Sequence, residues 1–225
     1  MFNEDIIEIE GVRYYAPNKN DVIYREMIRT NHIWEKYILE KLCAFITPGS
    51  CVIDTGAHIG NHTIQFSKLA KTVYSFEPSP TNYAIFETNM ELNNILNVIL
   101  YKNAICDKKR MLNFDPAKAK KRQKNSGATY FIQDDNGGIP ADSLDNVFSD
   151  IDEHISLIKY DVEEMELQAL QGSVKTIERF KPVLYVEFIK DRKRVRSTSQ
   201  EVSDFLNSVG YAPYQDEKEI WVFNE

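Results

Sequence analysis

The sequence predicts an α/β fold: a doubly wound, mostly parallel sheet of seven strands with the last strand antiparallel. Three observations carry this. Short apolar runs, "CVID", "TVYSFEP" and "NVILYKNAI", alternate with helical stretches, and "ISLIKYDV" and "PVLYVEFI" resume the rhythm after residue 154. Near-continuous apolar strands of this kind belong to a parallel sheet covered by helices on both faces. At the end, "YAPYQ" and "EIWVFN" flank the polar "DEKE" as an antiparallel pair does.

In chain order, residues 6–15 ("IIEIEGVRYY") alternate around Gly11 and predict a short hairpin. Residues 21–46 repeat apolar side chains at helical spacing, giving one or two helices that "TPGS" stops. Residues 61–70 follow the first strand as a helix. Residues 79–93 follow the second, with Pro80 in the first turn, where proline is favoured. The stretch 107–150 is looser: "MLNFDP" and "ATYFIQ" as extra strands, a lysine-rich loop between them, and "ADSLDNVF" as a short helix. Helices over 164–179 and 198–209 complete the set. No repeat or linker intervenes, so a hairpin-and-helix extension, 1–48, packs on one main domain, 49–225.

A chain of 225 residues, 43% of them hydrophobic, suits one domain with such an extension. Its apolar runs fall short of the roughly 18 residues a membrane span needs, so no membrane partner is expected. The polar start "MFNED" does not resemble a secretory leader. Cys43, Cys51 and Cys106 show no pairing or metal-ligand spacing, and a cytoplasmic location is expected. A net charge of −7 disfavours nucleic acid. Two basic islands, "KAKKRQK" (118–124) and "KDRKRVR" (190–196), interrupt that acidity, and runs of this kind usually face solvent. Composition assigns no oligomeric state.

The chemistry starts in "CVIDTGAHIGNHT" (51–63). Gly56 and Gly60 lie between a strand and a helix, where glycine admits positive φ and a close approach, and the helix start offers free N–H groups. Glycines that merely pack a strand on a helix look the same. Asp54, just before the turn, narrows the choice, because a carboxylate there repels a pyrophosphate and attracts an ammonium. "TGAHIG" also lacks one glycine of the dinucleotide fingerprint. Glu77 ends the second strand, where an acid can take both hydroxyls of a ribose. Asn103, beside Ala104, ends the third and can meet an adenine edge. Each alone is an ordinary strand-end residue. In this order the three suit S-adenosylmethionine, with Asp54 at its amino-acid end or on a water beside it.

Two longer stretches carry a resemblance. "CVIDTGAHIGNHTIQFSKLAKTVYSFEPSPTNYAIFETNMELNN" and "LIKYDVEEMELQALQGSVKTIERFKPVLYVEF" resemble the opening and closing halves of the FkbM family of S-adenosylmethionine-dependent methyltransferases. The shared habits are V-x-D-x-G-A-N-x-G, F-E-P-x-P and I-K-x-D-V-E-G-x-E, then K-P and a strand ending in Glu. The likeness spans most of residues 34–190. It implies a Rossmann-like, class I methyltransferase domain over 49–225. It also implies a cofactor site that includes Asp54, Gly56, His58, Gly60, Asn61 and Glu77 and continues through Pro78, Asn103, Ala104 and Asp161. Two positions depart from the pattern. His58 replaces the usual Asn and is bulkier and titratable. Glu164 replaces the usual Gly, removing a flexible position and adding charge. Cofactor binding should survive both, while substrate preference should shift.

"KYDVEEMELQAL" supplies the acids. Asp161 ends the fourth strand, with Lys159 two residues earlier on the same side. Glu163, Glu164 and Glu166 follow, and Glu187 ends the neighbouring strand. A sugar hydroxyl needs its proton taken as it attacks a methyl group, and clustered carboxylates raise one another's pKa. The expected catalytic set is therefore Asp161 as general base, with Glu187, Lys159 and Glu163. Asp161 and Glu187 could also hold Mg²⁺ or Mn²⁺, and the glutamates could simply decorate a helix start. His32, His62 and His154 show no ligand pattern and are expected to be structural. Trp34 and Tyr37 belong to the core or border a sugar-sized pocket. The residues point to methyl transfer; the resemblance implies a sugar or glycan hydroxyl as acceptor. RNA 2′-O-methylation, with "KAKKRQK" tracking phosphates, and a non-catalytic cofactor-binding module are the alternatives.

Overall fold

The computed structural model describes residues 4–188 and 198–224, so the island at 190–196 lies outside the described residues. Strands β1 (Ile6–Ile9) and β2 (Val12–Tyr15) form the hairpin. The predicted helical region is two helices, α1 (Val22–Thr30), capped by the Asp21 carboxylate on Ile23 N, and α2 (Lys36–Cys43). Their apolar faces (Ile23, Met27, Leu39, Leu42) enter one cluster with Val52, Ile64 and Phe86 of the main domain.

The main domain opens with β3 (Cys51–Thr55), α3 (Asn61–Ser67), β4 (Thr72–Phe76), α4 (Pro80–Leu92) and β5 (Val98–Tyr101). An insertion follows: β6 (Ala104–Ile105), β7 (Arg110–Phe114), α5 (Ala119–Lys124), β8 (Phe131–Gln133) and β9 (Ile139–Asp142). Its strands form a separate four-stranded sheet, ordered β6-β9-β7-β8. The rhythm resumes with α6 (Leu144–Val147), β10 (Ile155–Tyr160), α7 (Glu166–Gln171), α8 (Val174–Phe180), β11 (Val183–Val186) and α9 (Ser199–Ser208). The chain closes on β12 (Tyr211–Tyr214) and β13 (Glu217–Phe223).

The seven-stranded sheet has the order β12-β13-β11-β10-β3-β4-β5. Strands β5, β4, β3, β10 and β11 pair in parallel, and β13 runs antiparallel to both neighbours. Side chains alternate between two apolar clusters: Val52, Val73 and Leu157 enter one, and Ile53, Tyr74 and Ile158 the other. Both faces are covered, as near-continuous apolar strands require. The same parity puts Asp54, Ser75 and Lys159 on the α3 side, with Asp54 in register with both of the others.

Four expectations are corrected. "NVILYKNAI" is two strands in two sheets, because the chain turns at Lys102 and Asn103. Ala141 and Asp142, expected to start a helix, pair with β6 in the second sheet, and the helix begins only after the Ser143 cap. The helix over 164–179 is broken at Gly172, where an added Cβ would lie 2.1 Å from the Cys106 carbonyl oxygen. The lysine-rich loop is a 3₁₀ turn (Pro116–Lys118) running into α5. Among the described residues no helix is long and apolar enough to cross a membrane.

Candidate active site

The loop between β3 and α3 carries three left-handed residues, Gly56 (φ 74°), His58 (φ 53°) and Gly60 (φ 83°). The glycines serve the chain's approach to itself. A Cβ on Gly56 would lie 1.7 Å from the Asp161 carbonyl oxygen, and one on Gly60 2.5 Å from the Phe86 ring. His58 tolerates this conformation and is tied at both ends. Its N–H donates to Glu77 Oε2 at 2.8 Å, and its Nε2 lies 2.8 Å from Ser126 Oγ. Burial pushes its imidazole down to about 4, so the ring is neutral at pH 7.

A cavity of about 150 Å³ lies at the carboxyl tips of the parallel strands, where open α/β sheets bind ligands. Pro78, Asn103 and Ala104 line it together with Phe76, Ile105 and, from the insertion, Phe131. Gly56, His58 and Asn61 come from the loop and α3; Lys159, Asp161, Glu163 and Glu187 come from the tips of β10 and β11. Asp54, Gly60 and Glu77 stand behind this wall. Asp54 is wholly buried and accepts from Thr63 Oγ1 at 2.6 Å. Glu77 also accepts from Ser79 N at 2.8 Å, and burial raises its carboxyl to about 8.

Lys159, 2% exposed, is the electrostatic centre. Its ammonium lies 3.2 Å from Asp54 and 3.0 Å from Asp161, and donates to the Gly56 carbonyl at 3.2 Å. Burial alone would lower its pKa; the Asp161 and Asp54 charges reverse that and hold it above the usual lysine value. Asp161 and Glu187 follow residues paired in register, Tyr160 and Val186, and their side chains hydrogen-bond. The Asp161 charge, then burial, pushes Glu187 up to about 11. Against the effect of burial, Lys159 and the Glu187 hydrogen bond hold Asp161 below the usual carboxylate range. The two carboxyls titrate as one pair, in which Glu187 is the member that favours the proton. Mutual elevation was expected of the whole cluster; here it falls on Glu187 and, behind the effect of burial, on Glu166, pushed up to about 8, while Lys159 holds Asp161 down.

A wider groove of about 620 Å³ shares Glu35, Asn125, Glu163 and Glu187 with the cavity and is walled by Tyr37, Tyr130, Tyr185 and Phe188. Glu164 does not line either space. It pairs with Lys118, whose ammonium lies 3.9 Å from the centre of the Tyr130 ring. Glu166 is buried and accepts from Val162 N at 3.3 Å. Trp34, Glu35 and His62 also line the cavity, as do Asn125, Gly127 and Thr129. Sequence reasoning missed Glu35, His62, Asn125, Gly127 and Thr129: a single histidine in "NHT" has no diagnostic spacing, and nothing marks 125–129 as reaching the loop.

Among the described residues no group of three or more His, Cys, Asp or Glu side chains could hold a metal ion, and Asp161 and Glu187 engage each other instead. S-adenosylmethionine fits better. Phe76, Pro78, Ala104 and Ile105 offer apolar surface for a base, and the Asp161 charge suits a sulfonium. On the same wall, the buried Asn61 Oδ1 and His62 Nε2 have no hydrogen-bond partner among the described residues.

Comparison with known proteins agrees with this fold. A search of curated proteins found no match. Among solved structures, an FkbM methyltransferase from Methylobacillus flagellatus KT is 15% identical, with a TM-score of 0.50 over 82% of this chain and 50% of that one. The chain thus spans half the length of that relative. A candidate rRNA methylase from Clostridium thermocellum is 14% identical, with a TM-score of 0.52 over 84% and 96% of the two chains. These likenesses establish the fold. The sequence model of the methyltransferase FkbM domain matches residues 54–213, from the buried Asp54 through Asp161 and Glu187 to β12. With that match over most of its length, the chain belongs to the FkbM methyltransferase family.

Proposed function

We propose that this protein transfers a methyl group from S-adenosylmethionine to a hydroxyl of a sugar, in a glycan or a glycosylated metabolite, in the cytoplasm. The observation that carries the reading is the Asp161–Glu187 pair, which lies where the enclosed cavity meets the open aromatic groove. When bound, S-adenosylmethionine supplies an electrophilic methyl group on a sulfonium. Pro78, Asn103 and Ala104 would hold its base, and Asp161 would face its charge. Ring faces at Tyr37, Tyr130 and Tyr185, with carboxyl groups at their edge, suit a flat polyol that presents both C–H and O–H groups.

Asp161 is the group that accepts the acceptor's proton. Its basicity is low, and that is sufficient, because a hydroxyl oxygen becomes strongly acidic as it gains a methyl group. Glu187, already protonated, donates to Asp161 and holds it in one orientation. Lys159 acts through Asp161 and is a positioning residue. Glu163 lines both spaces and is placed to accept from a second hydroxyl.

The test is turnover against a panel of monosaccharides and glycans, read as the gain of one methyl group by mass. Asp161→Asn should retain S-adenosylhomocysteine binding within a few-fold and lose roughly 10²–10⁴ in rate. Full activity in that variant would refute the role. Methylation of RNA with a steep salt dependence, and of no sugar, would replace this reading with the nucleic-acid one.

A further inference from the structure

Two adjacent residues on the cavity wall raise a separate question. Asn61 and His62 are each 5% exposed, and each ends in an atom without a partner, Oδ1 and Nε2. The Asn61 amide nitrogen donates to the Trp34 carbonyl at 3.0 Å. Only the nitrogen end can make that bond, so the unsatisfied end is the oxygen, an acceptor. The His62 ring is neutral at pH 7, burial pushing it down to about 4; it bonds the Trp34 backbone through its other nitrogen, which leaves Nε2 as the acceptor of a neutral imidazole. Glu35 completes the corner. Its Oε2 lies 3.8 Å from His62 Nε2, too far for a hydrogen bond and close enough for a single donor to reach both.

Two buried acceptors with no partner among the described residues, and one carboxylate from another part of the chain, therefore border one end of the cavity, and a buried acceptor left unsatisfied is costly. A water has only two hydrogens to give. An ammonium has three and carries the charge that a carboxylate attracts. The sequence alone directs such a group to Asp54. In the structure Asp54 is wholly buried and already paired with Lys159.

We propose that Asn61, His62 and Glu35 hold the α-ammonium of the cofactor's amino-acid end, making the 1–48 extension part of the binding site. This rests on the cavity being the S-adenosylmethionine site. It gives Glu35 a recognition role and gives His62 a ligand contact in place of a structural one.

The test compares S-adenosylhomocysteine with its deamino analogue, in which hydrogen replaces the amino group, by calorimetry on the full chain. The wild type should bind S-adenosylhomocysteine roughly tenfold to a hundredfold tighter than the analogue. In His62→Leu that preference should largely vanish, through weaker S-adenosylhomocysteine binding with analogue binding unchanged. Glu35→Gln alters a side chain 34% exposed, so it tests the corner with little risk to the fold, and should cut the preference several-fold. Equal affinity of the wild type for both ligands overturns the proposal while leaving the cofactor assignment intact. So does a parallel loss of both ligands in the variants. Binding of neither ligand by the wild type overturns the cofactor assignment itself, and the proposal with it.

Discussion

Replacing Lys159 with methionine removes the charge at the centre of the site and keeps most of the side-chain volume. The ammonium sits 3.2 Å from Asp54 and 3.0 Å from Asp161. At an effective dielectric of 20, each contact is worth about 5 kcal/mol before desolvation. Bringing a lysine inside costs several kcal/mol, so the intact triad adds little net stability, but breaking it leaves Asp54 buried beside an apolar side chain. That situation costs about 3–5 kcal/mol. For a chain of this size each kcal/mol moves the melting temperature by about 2–4 °C, so Lys159→Met should melt roughly 6–20 °C lower.

A double-mutant cycle isolates the cause. Asp54→Asn alone should also destabilise, and combined with Lys159→Met it should cost less than the sum, with a coupling of about 1–3 kcal/mol. The same variant has a catalytic signature. Lys159 holds the Asp161 carboxyl down, so its loss should move the acid limb of the rate–pH profile to higher pH. A variant that melts within 2 °C or so of wild type, or a strictly additive cycle, would refute the view that these charges depend on one another.

Substitutions at three further positions probe the same neighbourhood. Glu187→Gln keeps a donor toward Asp161 and removes a titration. Unfolded glutamate releases its proton near 4.5, and folded Glu187 holds its proton to higher pH, chiefly because of the Asp161 charge, so the wild type loses stability as pH rises above that point. The variant's melting temperature, relative to wild type, should therefore climb from pH 5 to pH 9, and a constant difference would contradict the shared proton. Glu164→Ala should destabilise by about 1–3 kcal/mol in urea titration, losing the Lys118 pair while keeping φ at 74°. Glu164→Gly should cost less, because glycine relieves about 1 kcal/mol of strain; the reverse order would remove Lys118 from the argument. Gly56→Ala forces a methyl group onto the Asp161 carbonyl and should cost about 2–4 kcal/mol and abolish turnover. Wild-type stability in that variant would show that the loop relaxes freely.

The main sheet was legible because its strands are short apolar runs closed by polar residues, and burial on both faces leaves few other ways to place them. Of the expected site residues, Asp161 and Glu187 follow the ends of β10 and β11, Asn103 lies in the turn between β5 and β6, and all three line the cavity. Asp54 and Glu77 show the limit. Their types and positions mark a binding edge, but sequence does not record which partners the folded chain supplies first. Here Lys159 and Thr63 claim Asp54, and the His58 and Ser79 amides claim Glu77. Of the second sheet, β7 and β8 were legible as the strands in "MLNFDP" and "ATYFIQ"; β6, β9 and the pairing of all four were not, because those two strands are short and the pairings are distant in sequence. His62 and Glu35 matter only through where the extension lands.

The two departures from the family pattern, His58 and Glu164, look unrelated in the sequence. One lies after β3 and the other after β10. In the structure both keep the left-handed backbone that Asn or Gly would adopt at lower cost, with φ at 53° and 74°. Each then directs its side chain to the same insertion: His58 to Ser126, and Glu164 to Lys118. Asp21 reaches Ser126 N from the extension at 2.7 Å, and Asn82 reaches the Ser126 carbonyl from α4 at 3.1 Å. The segment 115–130 is thus fastened to the rim of the cavity by side chains from four separate elements. It supplies Asn125, Gly127 and Thr129 to the cavity and Tyr130 to the groove. Cofactor residues set by the family pattern and groove residues set by the insertion meet through these two substitutions. Reverting His58→Asn and Glu164→Gly together should therefore alter the KM for the acceptor more than S-adenosylhomocysteine affinity. Equal changes in both would show that the insertion merely braces the cofactor loop.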